Sequence, residues 1–384
     1  MKVCFLSYTH PFNDTRILYK MAYSLRNVGF EVSHIAPDVG LKTKKRQWED
    51  KGVKIVIYPM EGKRFFDRIK RFFNLLRKAL KNNSDCFHCN EIESWLAGLL
   101  LKLFLKNKKV VFDVHEHYPS RFDEPHIKNW IGVIGKPILK IMFRILPIWT
   151  DHIIYAKRSV AKDFFINKKK LSYIFNYSPL WMHSKKIYKK NMNSTNYNGK
   201  IMSVHIGYLS KVRGWPQLLK AISLMKNKNL VLLCLGAVQE GSYTILERAK
   251  ELNIENRIHL KPAIHYEKMF DLLLNSEIGL MLYQPGILNH IFAFPMKMYD
   301  YMLAGLPILG PNFAVEVVPV IEENKCGILV DTSNPIEIAN ALDWFCENRE
   351  ESKEMGNRGK IAIEKKYNWE NEEKKLIRIY NNFV

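Results

Sequence analysis

The chain has 384 residues, of which 47% are hydrophobic, so it is long and apolar enough to form two or three domains with sizeable cores. Lysine and arginine outnumber aspartate and glutamate by 59 to 38, and the net charge of +21 favours an anionic partner: a nucleic acid, an anionic lipid surface or a phosphorylated substrate. No stretch reaches the roughly eighteen uninterrupted apolar residues of a membrane-spanning helix, and the apolar start, 3–7, is too short for a signal peptide, so we expect a cytoplasmic protein.

Short apolar segments alternate with amphipathic segments in the first part of the chain. Strands are predicted at 3–7, 31–36, 54–58, 85–88 and 109–114. Helices are predicted at 16–28, 64–81 and 91–105. This alternation implies an α/β fold with a parallel sheet that is covered by helices on both faces.

The polar, Asn-rich segment 181–200 loses all periodicity and is interpreted as a linker. The alternation then resumes, with strands predicted at 201–206, 230–235, 257–260, 278–282 and 308–309. Helices are predicted at 215–225, 243–252, 266–275, from 295 onward, and at 335–347 and 369–382. We therefore predict two doubly wound, Rossmann-like domains, at 1–180 and 201–368, with a ligand cleft between them at the carboxyl ends of the strands.

The segment 294–307, F-P-M-K-M-Y-D-Y-M-L-A-G-L-P, predicts a helix that begins at Pro295 and ends at Gly305. The free N–H groups of its first turn attract phosphate, and Lys297 adds a cation there. Asp300, one turn later, is able to accept hydrogen bonds from sugar hydroxyls. These features favour a site for a nucleotide diphosphate, and the alternative is a purely structural αβ unit.

The segment 207–215, G-Y-L-S-K-V-R-G-W, follows the first strand of the second domain. Gly207 permits close approach to the backbone, and Arg213 is placed to bind a phosphate bidentately. The alternative is an ordinary turn with exposed Lys211 and Arg213.

The segment 9–17, T-H-P-F-N-D-T-R-I, follows the first strand of the chain and offers His10, Asn13, Asp14 and Arg16 as ligand-capable side chains. It lacks the GxGxxG pattern, which disfavours a Rossmann-type dinucleotide site. The alternative is that Asp14 only caps the following helix and Arg16 is solvated.

The segment 113–120, D-V-H-E-H-Y-P-S, crowds polar residues after a strand that should be central. His115 is a candidate general acid or hydrogen-bond donor to a substrate hydroxyl, with Glu116 beside it. The two histidines and Glu116 also suggest a metal. The spacing of the histidines, i and i+2 in an extended segment, places both imidazoles on one side with no third ligand visible there, so substrate contact is favoured over metal binding. A structural histidine is the alternative. The pair Cys86 and Cys89 has no second pair or spaced histidine, which disfavours a zinc or redox site.

The predicted helix at 64–81 combines an apolar stripe with many basic residues. The stripe consists of Phe65, Ile69, Phe72, Leu76 and Leu80, and Phe66 and Phe73 widen it. This pattern fits a helix that lies on an anionic membrane surface, and the basic, apolar segment 128–149 adds weak support. The alternative is a core-facing amphipathic helix with a solvated basic face.

Taken together and in their order along the chain, these segments resemble glycosyltransferase family 4 over almost the whole chain. Further similar segments are D-C-F-H-C-N-E at 85–91 and M-G-N-R-G-K with K-K-Y-N-W-E within 355–370. The resemblance implies the GT-B fold of two facing Rossmann-like domains, with a C-terminal helix, 369–384, that crosses back to the first domain. It also implies transfer of a sugar from a nucleotide diphosphate sugar, with retention of configuration and without a cofactor or an essential metal.

The resemblance implies residue roles as well. Asp300 matches the second Glu of the family's Glu-seven-residues-Glu pattern, which holds the ribose hydroxyls, whereas the first Glu, which contacts the sugar of the donor, is replaced by Phe292. The family's diphosphate-binding Arg and Lys match Tyr208 and Arg213, so Lys297 is expected to supply the second cation.

The first-domain residues also match the family. His115 matches its histidine near the transferred sugar, and Asp14 and Arg16 match a loop that makes acceptor or donor contacts. His10 and Glu116 are further acceptor-side candidates.

The expected partners are the nucleotide-sugar donor and a saccharide or lipid-linked acceptor at the inner face of a bacterial membrane, in surface polysaccharide assembly. The loss of the first Glu leaves a second interpretation, a catalytically degenerate subunit that acts as a binding partner. A nucleic-acid binder is suggested only by the charge, and no RNA-binding motif or zinc finger supports it.

Overall fold

The computed structural model describes residues 1–40, 46–60, 62, 64–115, 118–123, 129–158, 160, 164, 168–181, 199–264 and 266–384. The chain divides into two compact units. The first contains Met1–Asn176 and Trp369–Val384, and the second contains Tyr177–Asn368. The second unit therefore begins before the predicted linker, most of which, 182–198, lies outside the described residues.

A sheet of eight strands forms the centre of the first unit. The strands are β1 (Lys2–Leu6), β2 (Glu31–Pro37), β3 (Gln47–Asp50), β4 (Val53–Tyr58), β5 (Cys86–Cys89), β6 (Lys109–Val114), β7 (His152–Tyr155) and β8 (Leu171–Tyr173). Their order across the sheet is β3-β4-β2-β1-β5-β6-β7-β8, and all neighbours are parallel except β3 and β4. Since the chain order reverses beside β1, the carboxyl ends of β1 and β5 form the edge where ligands bind in such sheets.

Helices cover both faces of this sheet. The first begins as a π-helix over Thr15–Ala22 and continues as α1 (Tyr23–Asn27), and it is followed by α2 (Phe65–Asn82), α3 (Ile92–Phe104) and α4 (Asn129–Ile145). Short 3-10 turns occur at Tyr118–Asp123, Leu146–Ile148 and Lys168–Lys170. Residues of α2, α3 and α4 share one core with the sheet, and the first helix packs on the opposite face.

The second unit repeats this architecture with six strands. They are β9 (Ile201–Ile206), β10 (Leu230–Leu235), β11 (Ile258–Lys261), β12 (Ile278–Leu280), β13 (Ile308–Pro311) and β14 (Gly327–Val330). The order is β11-β10-β9-β12-β13-β14, with all pairs parallel. The chain order reverses between β9 and β12, so the loops that follow these two strands lie at the ligand-binding edge.

The helices of the second unit fill the connections between its strands. They are α5 (Trp215–Leu224), α6 (Ser242–Glu251), α7 (Tyr266–Leu274), α8 (Leu288–Ile291), α9 (Met296–Leu303), α10 (Val318–Asn324), α11 (Pro335–Glu347) and α12 (Arg349–Lys365). Among the described residues, 3-10 turns occur at Lys211–Arg213 and Glu255–Arg257. The predicted α/β class with two parallel-sheet, Rossmann-like units is confirmed.

The last helix, α13 (Trp369–Asn381), belongs to the first unit. The indole of Trp369 donates a hydrogen bond to Ser24 Oγ (3.0 Å), and Glu372 accepts one from the backbone N–H of Phe175 (3.0 Å). The buried ring of Tyr380 lies in the core that faces the first helix. The C-terminal helix thus packs on residues from the start of the chain, and Trp369 and Ser24 are 345 positions apart.

Candidate functional site

Each unit carries a polar cluster at the carboxyl edge of its sheet, and the two clusters are described separately. In the second unit the loop after β9 begins at Gly207, whose φ of +96° favours glycine. The following turn ends at Gly214, with a φ of +82°, where a Cβ atom would lie 2.3 Å from the carbonyl oxygen of Leu282. This close packing holds the loop after β9 against the segment that follows β12.

Two cations converge at this edge. The guanidinium of Arg213 donates a hydrogen bond to the carbonyl of Tyr208 (3.2 Å) and lies 6.0 Å from the ring centre of Tyr283. The ammonium of Lys297, in the first turn of α9, lies 5.0 Å from the same ring centre. Within the described chain, neither cation forms an ion pair with a carboxylate. The edge therefore carries two positive charges around one aromatic ring.

The ammonium of Lys297 is the most informative group of this cluster. The side chain is only 8% exposed, and Nζ has no hydrogen-bond partner among the described residues. Burial and the neighbouring charge of Arg213 hold the pKa of Lys297 well below its usual range. A buried ammonium without a partner costs free energy, so the sequence retains here a charge that stability alone does not explain.

Two histidines lie near the cations and a buried tyrosine lies on the same helix as Lys297, and none of the three was predicted from the sequence. Burial, followed by the charges of Lys297 and Arg213, lowers the pKa of His205 strongly; burial also lowers the pKa of His290. The hydroxyl of Tyr301 accepts a hydrogen bond from the N–H of Ile206 (3.0 Å) and donates one to the carbonyl of Leu280 (3.1 Å). Tyr301 thus fixes α9 to the ends of β9 and β12. The one available signal was the position of His205 within an apolar strand directly before Gly207.

The other predicted residues of the second unit have distinct surroundings. Asp300 is 2% exposed, and its Oδ1 accepts a hydrogen bond from Ser178 Oγ (2.6 Å). The helix predicted to begin at Pro295 begins one residue later, at Met296, and Pro295 is the residue before it; Phe292 follows α8 directly. Tyr208 is 43% exposed. Asp300 is three residues from Lys297 on α9, yet the two side chains form no ion pair.

A cavity of about 300 Å³ lies beside Gly207 at the carboxyl ends of β9, β10 and β11. Its lining includes small and apolar groups from Cys234, Gly236, Pro262 and Ala263. This volume is at the lower end of the range of small-molecule sites. The cavity and the two cations occupy the same edge of the second sheet.

In the first unit, Glu91 organises the loop that follows β1. Its carboxylate accepts hydrogen bonds from the backbone N–H groups of Tyr8 (2.9 Å), Thr9 (2.9 Å) and His10 (3.0 Å), and it lies 2.6 Å from Nδ1 of His10. Burial opposes ionisation, but His10 and these N–H donors outweigh it and lower the pKa of Glu91 to about 2. Glu91 is therefore ionised, and its carboxylate holds His10 in place.

A second buried carboxylate, Asp113, lies at the end of β6. Both of its oxygens accept hydrogen bonds from Arg16, at 2.9 and 2.7 Å, and Oδ2 also lies 2.8 Å from Nε2 of His115. Although burial alone would raise the pKa of Asp113, Arg16 and His115 hold it well below its usual range. The rings of His115 and His10 lie 5.2 Å apart, so the two carboxylates support a pair of neighbouring histidines.

The predicted first-unit residues are thus partly brought together. His10 and His115 are neighbours, whereas Asp14 accepts hydrogen bonds from the N–H groups of Arg16 and Ile17, as the capping alternative expects. Arg16 is 3% exposed, so the alternative of a solvated first-turn residue is wrong for it. Glu116 lies outside the described residues. Within the described part, no group of three or more His, Cys, Asp or Glu is arranged to hold a metal ion.

Two family descriptions match the chain. "Glycosyltransferase Family 4" matches residues 15–176, and "Glycosyl transferases group 1" matches residues 188–362. The Bacillus subtilis (strain 168) protein named spore coat protein SA is 24% identical over 216 residues, which are 53% of this chain and 55% of that protein. The chain thus spans about half the length of this curated relative.

Solved structures share the fold at low identity. Anabaena HepE in complex with UDP-glucose has a TM-score of 0.75 at 13% identity, with 100% of both chains covered. Sucrose-phosphate synthase from Thermosynechococcus elongatus has a TM-score of 0.74 at 15% identity, with 100% of this chain and 98% of that chain covered. WaaG, a glycosyltransferase involved in lipopolysaccharide biosynthesis, has a TM-score of 0.70 at 11% identity, with 99% of both chains covered. The fold is that of the GT-B glycosyltransferases.

Proposed function

The chain belongs to glycosyltransferase family 4, and we propose that it transfers a sugar from a nucleoside diphosphate sugar to a saccharide acceptor, with retention of the anomeric configuration and without a metal cofactor. The observation that carries the proposal is the buried ammonium of Lys297, which has no hydrogen-bond partner among the described residues. The guanidinium of Arg213 lies near the same Tyr283 ring as this ammonium. Two cations that repel each other in the free protein are stabilised together when a diphosphate binds between them.

The same two charges give a chemical role to the site. When the bond between the sugar and the diphosphate breaks, negative charge develops on the leaving phosphate oxygens. Lys297 and Arg213, with the N–H groups of the first turn of α9, stabilise that charge in a site that excludes water. This stabilisation replaces a divalent cation. In a front-face attack the acceptor hydroxyl transfers its proton to the leaving phosphate, so no separate base is required.

The nucleoside occupies the neighbouring cavity in this proposal. Gly207 lines the cavity and begins the loop that carries Arg213. When the two cations bind the diphosphate of a nucleotide, the base of that nucleotide therefore points toward the cavity. Asp300 holds the ribose hydroxyls, which compete with Ser178 for the carboxylate. UDP is the first probe because Anabaena HepE, which has the same fold, is described in complex with UDP and UDP-glucose.

The acceptor is a lipid-linked saccharide, and α2 supplies the membrane contact. The buried face of α2 contains Leu75 and Ala79, whereas Phe65, Phe66 and Phe73 are 71%, 81% and 60% exposed. Core packing of this helix therefore leaves its aromatic residues unexplained. An anionic lipid surface matches both these rings and the basic residues of the helix.

The helices α3 and α4, which pack on the same face of the sheet as α2, also expose apolar residues. Among them are Leu103 and Phe104 of α3, and Val133, Ile138 and Ile141 of α4. In the described part of the chain, no helix is both long enough and apolar enough to cross a bilayer. We propose peripheral attachment to the inner face of a bacterial membrane, where the enzyme acts in surface polysaccharide synthesis. The similarity of fold to WaaG supports this setting.

A thermal-shift panel with UDP, GDP, ADP, CMP and dTDP tests the sugar-donor site. We expect one nucleotide diphosphate to raise the Tm of the wild type by mass action and to lose its effect in Arg213→Ala. Lys353→Ala is the matched control, because Lys353 is an exposed lysine of the same unit that lies away from the proposed site. If no nucleotide stabilises the wild type, the active transferase is refuted in favour of the degenerate binding subunit.

A further inference from the structure

The buried carboxylate of Asp113 lies within hydrogen-bond distance of Arg16 and His115, and His88 lies just beyond that distance. Arg16 donates to both oxygens, and the Nε2 atoms of His115 and His88 lie 2.8 and 3.6 Å from Oδ2. Asp113 and His88 are fully buried, and Arg16 is 3% exposed. Arg16 and Asp113 form an ion pair in this cluster, and burial lowers the pKa of His88, so His88 is accommodated in its neutral form.

The contact with Asp113 decides which nitrogen of His115 carries the proton. An ionised carboxylate only accepts hydrogen bonds, so the ring nitrogen that faces it must be a donor. Nε2 of neutral His115 is therefore protonated, and the lone pair of the ring lies on Nδ1. A neutral histidine in this tautomer accepts a hydrogen bond from a hydroxyl at Nδ1 and does not donate one there.

The far side of the cluster supports the same assignment. The hydroxyl of Tyr380 lies 2.5 Å from Nδ1 of His88, and burial raises the pKa of Tyr380 and lowers the pKa of His88. Tyr380 therefore keeps its proton and donates to Nδ1 of neutral His88. The proton of His88 then lies on Nε2, which faces Asp113. Both histidines thus direct an N–H group toward one carboxylate.

His10 provides an internal comparison. Its carboxylate partner, Glu91, contacts Nδ1 at 2.6 Å rather than Nε2. By the same argument neutral His10 carries its proton on Nδ1, so His10 and His115 are opposite tautomers although their rings lie 5.2 Å apart.

We propose that Asp113 is a positioning residue that fixes His115 with Nε2 protonated, so that Nδ1 accepts a hydrogen bond from a hydroxyl of the sugar substrate. This inference rests on the proposed transferase function for the identity of the ligand. It replaces the sequence-based expectation of a hydrogen-bond donor or general acid at His115 with a hydrogen-bond acceptor. Arg16 holds Asp113, and Tyr380 holds the second histidine that faces it.

Nitrogen NMR of the free, full-length protein tests the assignment without any substrate. The protein is labelled with ¹⁵N-histidine, long-range ¹H–¹⁵N correlations are recorded at about pH 8, where histidine is neutral, and His115→Gln identifies the His115 signals. We expect a protonated Nε2 and an unprotonated Nδ1 in wild-type His115, and the reverse pattern in His10. A protonated Nδ1 in wild-type His115 overturns the proposal, so the wild-type spectrum decides even if a variant does not fold.

Asp113→Ala tests whether the carboxylate is the cause. The variant removes Oδ2, the oxygen that faces Nε2 of His115, so no acceptor fixes the ring proton on Nε2, and we expect the His115 nitrogens to report a mixture of both tautomers. Asp151→Ala is the matched control, because Asp151 is a carboxylate of the same sheet that contacts Lys102 and the N–H of Val110. An unchanged His115 pattern in Asp113→Ala refutes the positioning role.

Kinetics supply the functional arm after the nucleotide panel has identified a sugar donor. Asp113→Ala is expected to lower kcat by about tenfold or more at an unchanged KM for the sugar donor. An unchanged kcat overturns the proposed use of Nδ1. Failure of the transferase proposal appears instead as absence of nucleotide binding in the wild type, which leaves the NMR result intact, so the two failures are distinguishable.

Discussion

Replacement of Lys297 by methionine should stabilise the free protein and abolish nucleotide binding at the same time. Lys297 is 8% exposed, its ammonium has no hydrogen-bond partner among the described residues, and Arg213 adds repulsion. Methionine has nearly the same length and volume and carries no charge. The variant therefore removes an electrostatic penalty and leaves the packing of α9 almost unchanged.

The size of the stabilisation follows from these terms. Removal of an unpaired polar group from a buried site gains about 1–3 kcal/mol, and a swap of similar volume costs less than about 1.5 kcal/mol. A net gain of about 1–2 kcal/mol corresponds to a rise in Tm of about 2–8 °C for a unit of this size. In the wild type, a nucleotide at a hundred times its Kd stabilises by about 2.7 kcal/mol, and this increment should vanish in Lys297→Met.

Differential scanning fluorimetry with and without UDP measures both effects in one experiment. Lys353→Met is the control, since Lys353 is exposed and a charge removed there should change neither the Tm nor the UDP effect. A lower Tm for Lys297→Met would mean that the ammonium has a stabilising partner. A UDP effect that survives in the variant would mean that Lys297 does not bind the diphosphate, and either result refutes the reasoning.

Four further outcomes are expected. Folding lowers the pKa of Glu91 from 4.5 to about 2, so the ionised carboxylate stabilises the fold by about 3 kcal/mol above pH 4.5, and this contribution is lost toward pH 2. Urea unfolding should show the free energies of unfolding of the wild type and of Glu91→Gln approaching each other as the pH falls through this range. The pKa of Lys297 lies well below the ordinary lysine value of 10.5, so its ammonium loses its charge at a lower pH than an exposed lysine does. Calorimetry should therefore show that UDP binding weakens as the pH rises through that lowered pKa. Lys297→Met should show no such change. Serine at Phe66 and Phe73 together should reduce cosedimentation with anionic vesicles by at least about tenfold at unchanged Tm, and an unchanged bound fraction would argue against α2 as the membrane contact. Gly214→Ala should cost more than about 2 kcal/mol in chemical unfolding, because φ is +82° and the new Cβ meets the carbonyl of Leu282, whereas a neutral result would show that the turn relaxes.

The fold was largely predictable because its strongest signals are local. A strand can be predicted from an apolar run of strand length, such as 201–206 or 230–235, and a helix from a proline near its start and a glycine after its end, as at Pro295 and Gly305. Neither signal requires knowing which other segments pack nearby. β3 was missed because this edge strand, Gln47–Asp50, contains a single apolar residue, Trp48, which is too few to show the alternation of a strand. The helices α4 and α12 were not separately predicted, since their apolar periodicity is interrupted by Pro137 in the first and by glycines in the second.

The residues of the candidate sites differ in the same way: those with a local sequence signal were predicted, and contacts between distant residues were not. Arg213 and Lys297 were identifiable from sequence because each follows a strand or begins a helix, and such positions lie at the ligand-binding edge. The pairing of Arg16 with Asp113 joins residues 97 positions apart, and no local pattern records that their elements become neighbours. The same holds for the contact of Tyr380 with His88, which spans 292 positions.

This difference matters for function because the role of a histidine depends on its distant partner. The sequence around His115 is compatible with a hydrogen-bond donor, an acceptor or a metal ligand, since imidazole can act as each. Asp113 is the last residue but one of β6, and His115 directly follows that strand. The carboxylate of Asp113 lies 2.8 Å from Nε2 of His115, and Arg16 keeps the carboxylate ionised. A buried ionised carboxylate leaves His115 one neutral tautomer, and that tautomer has its acceptor at Nδ1. The chemistry available to His115 is therefore set by a residue of the first helix, and the tautomer measurement asks about this arrangement directly.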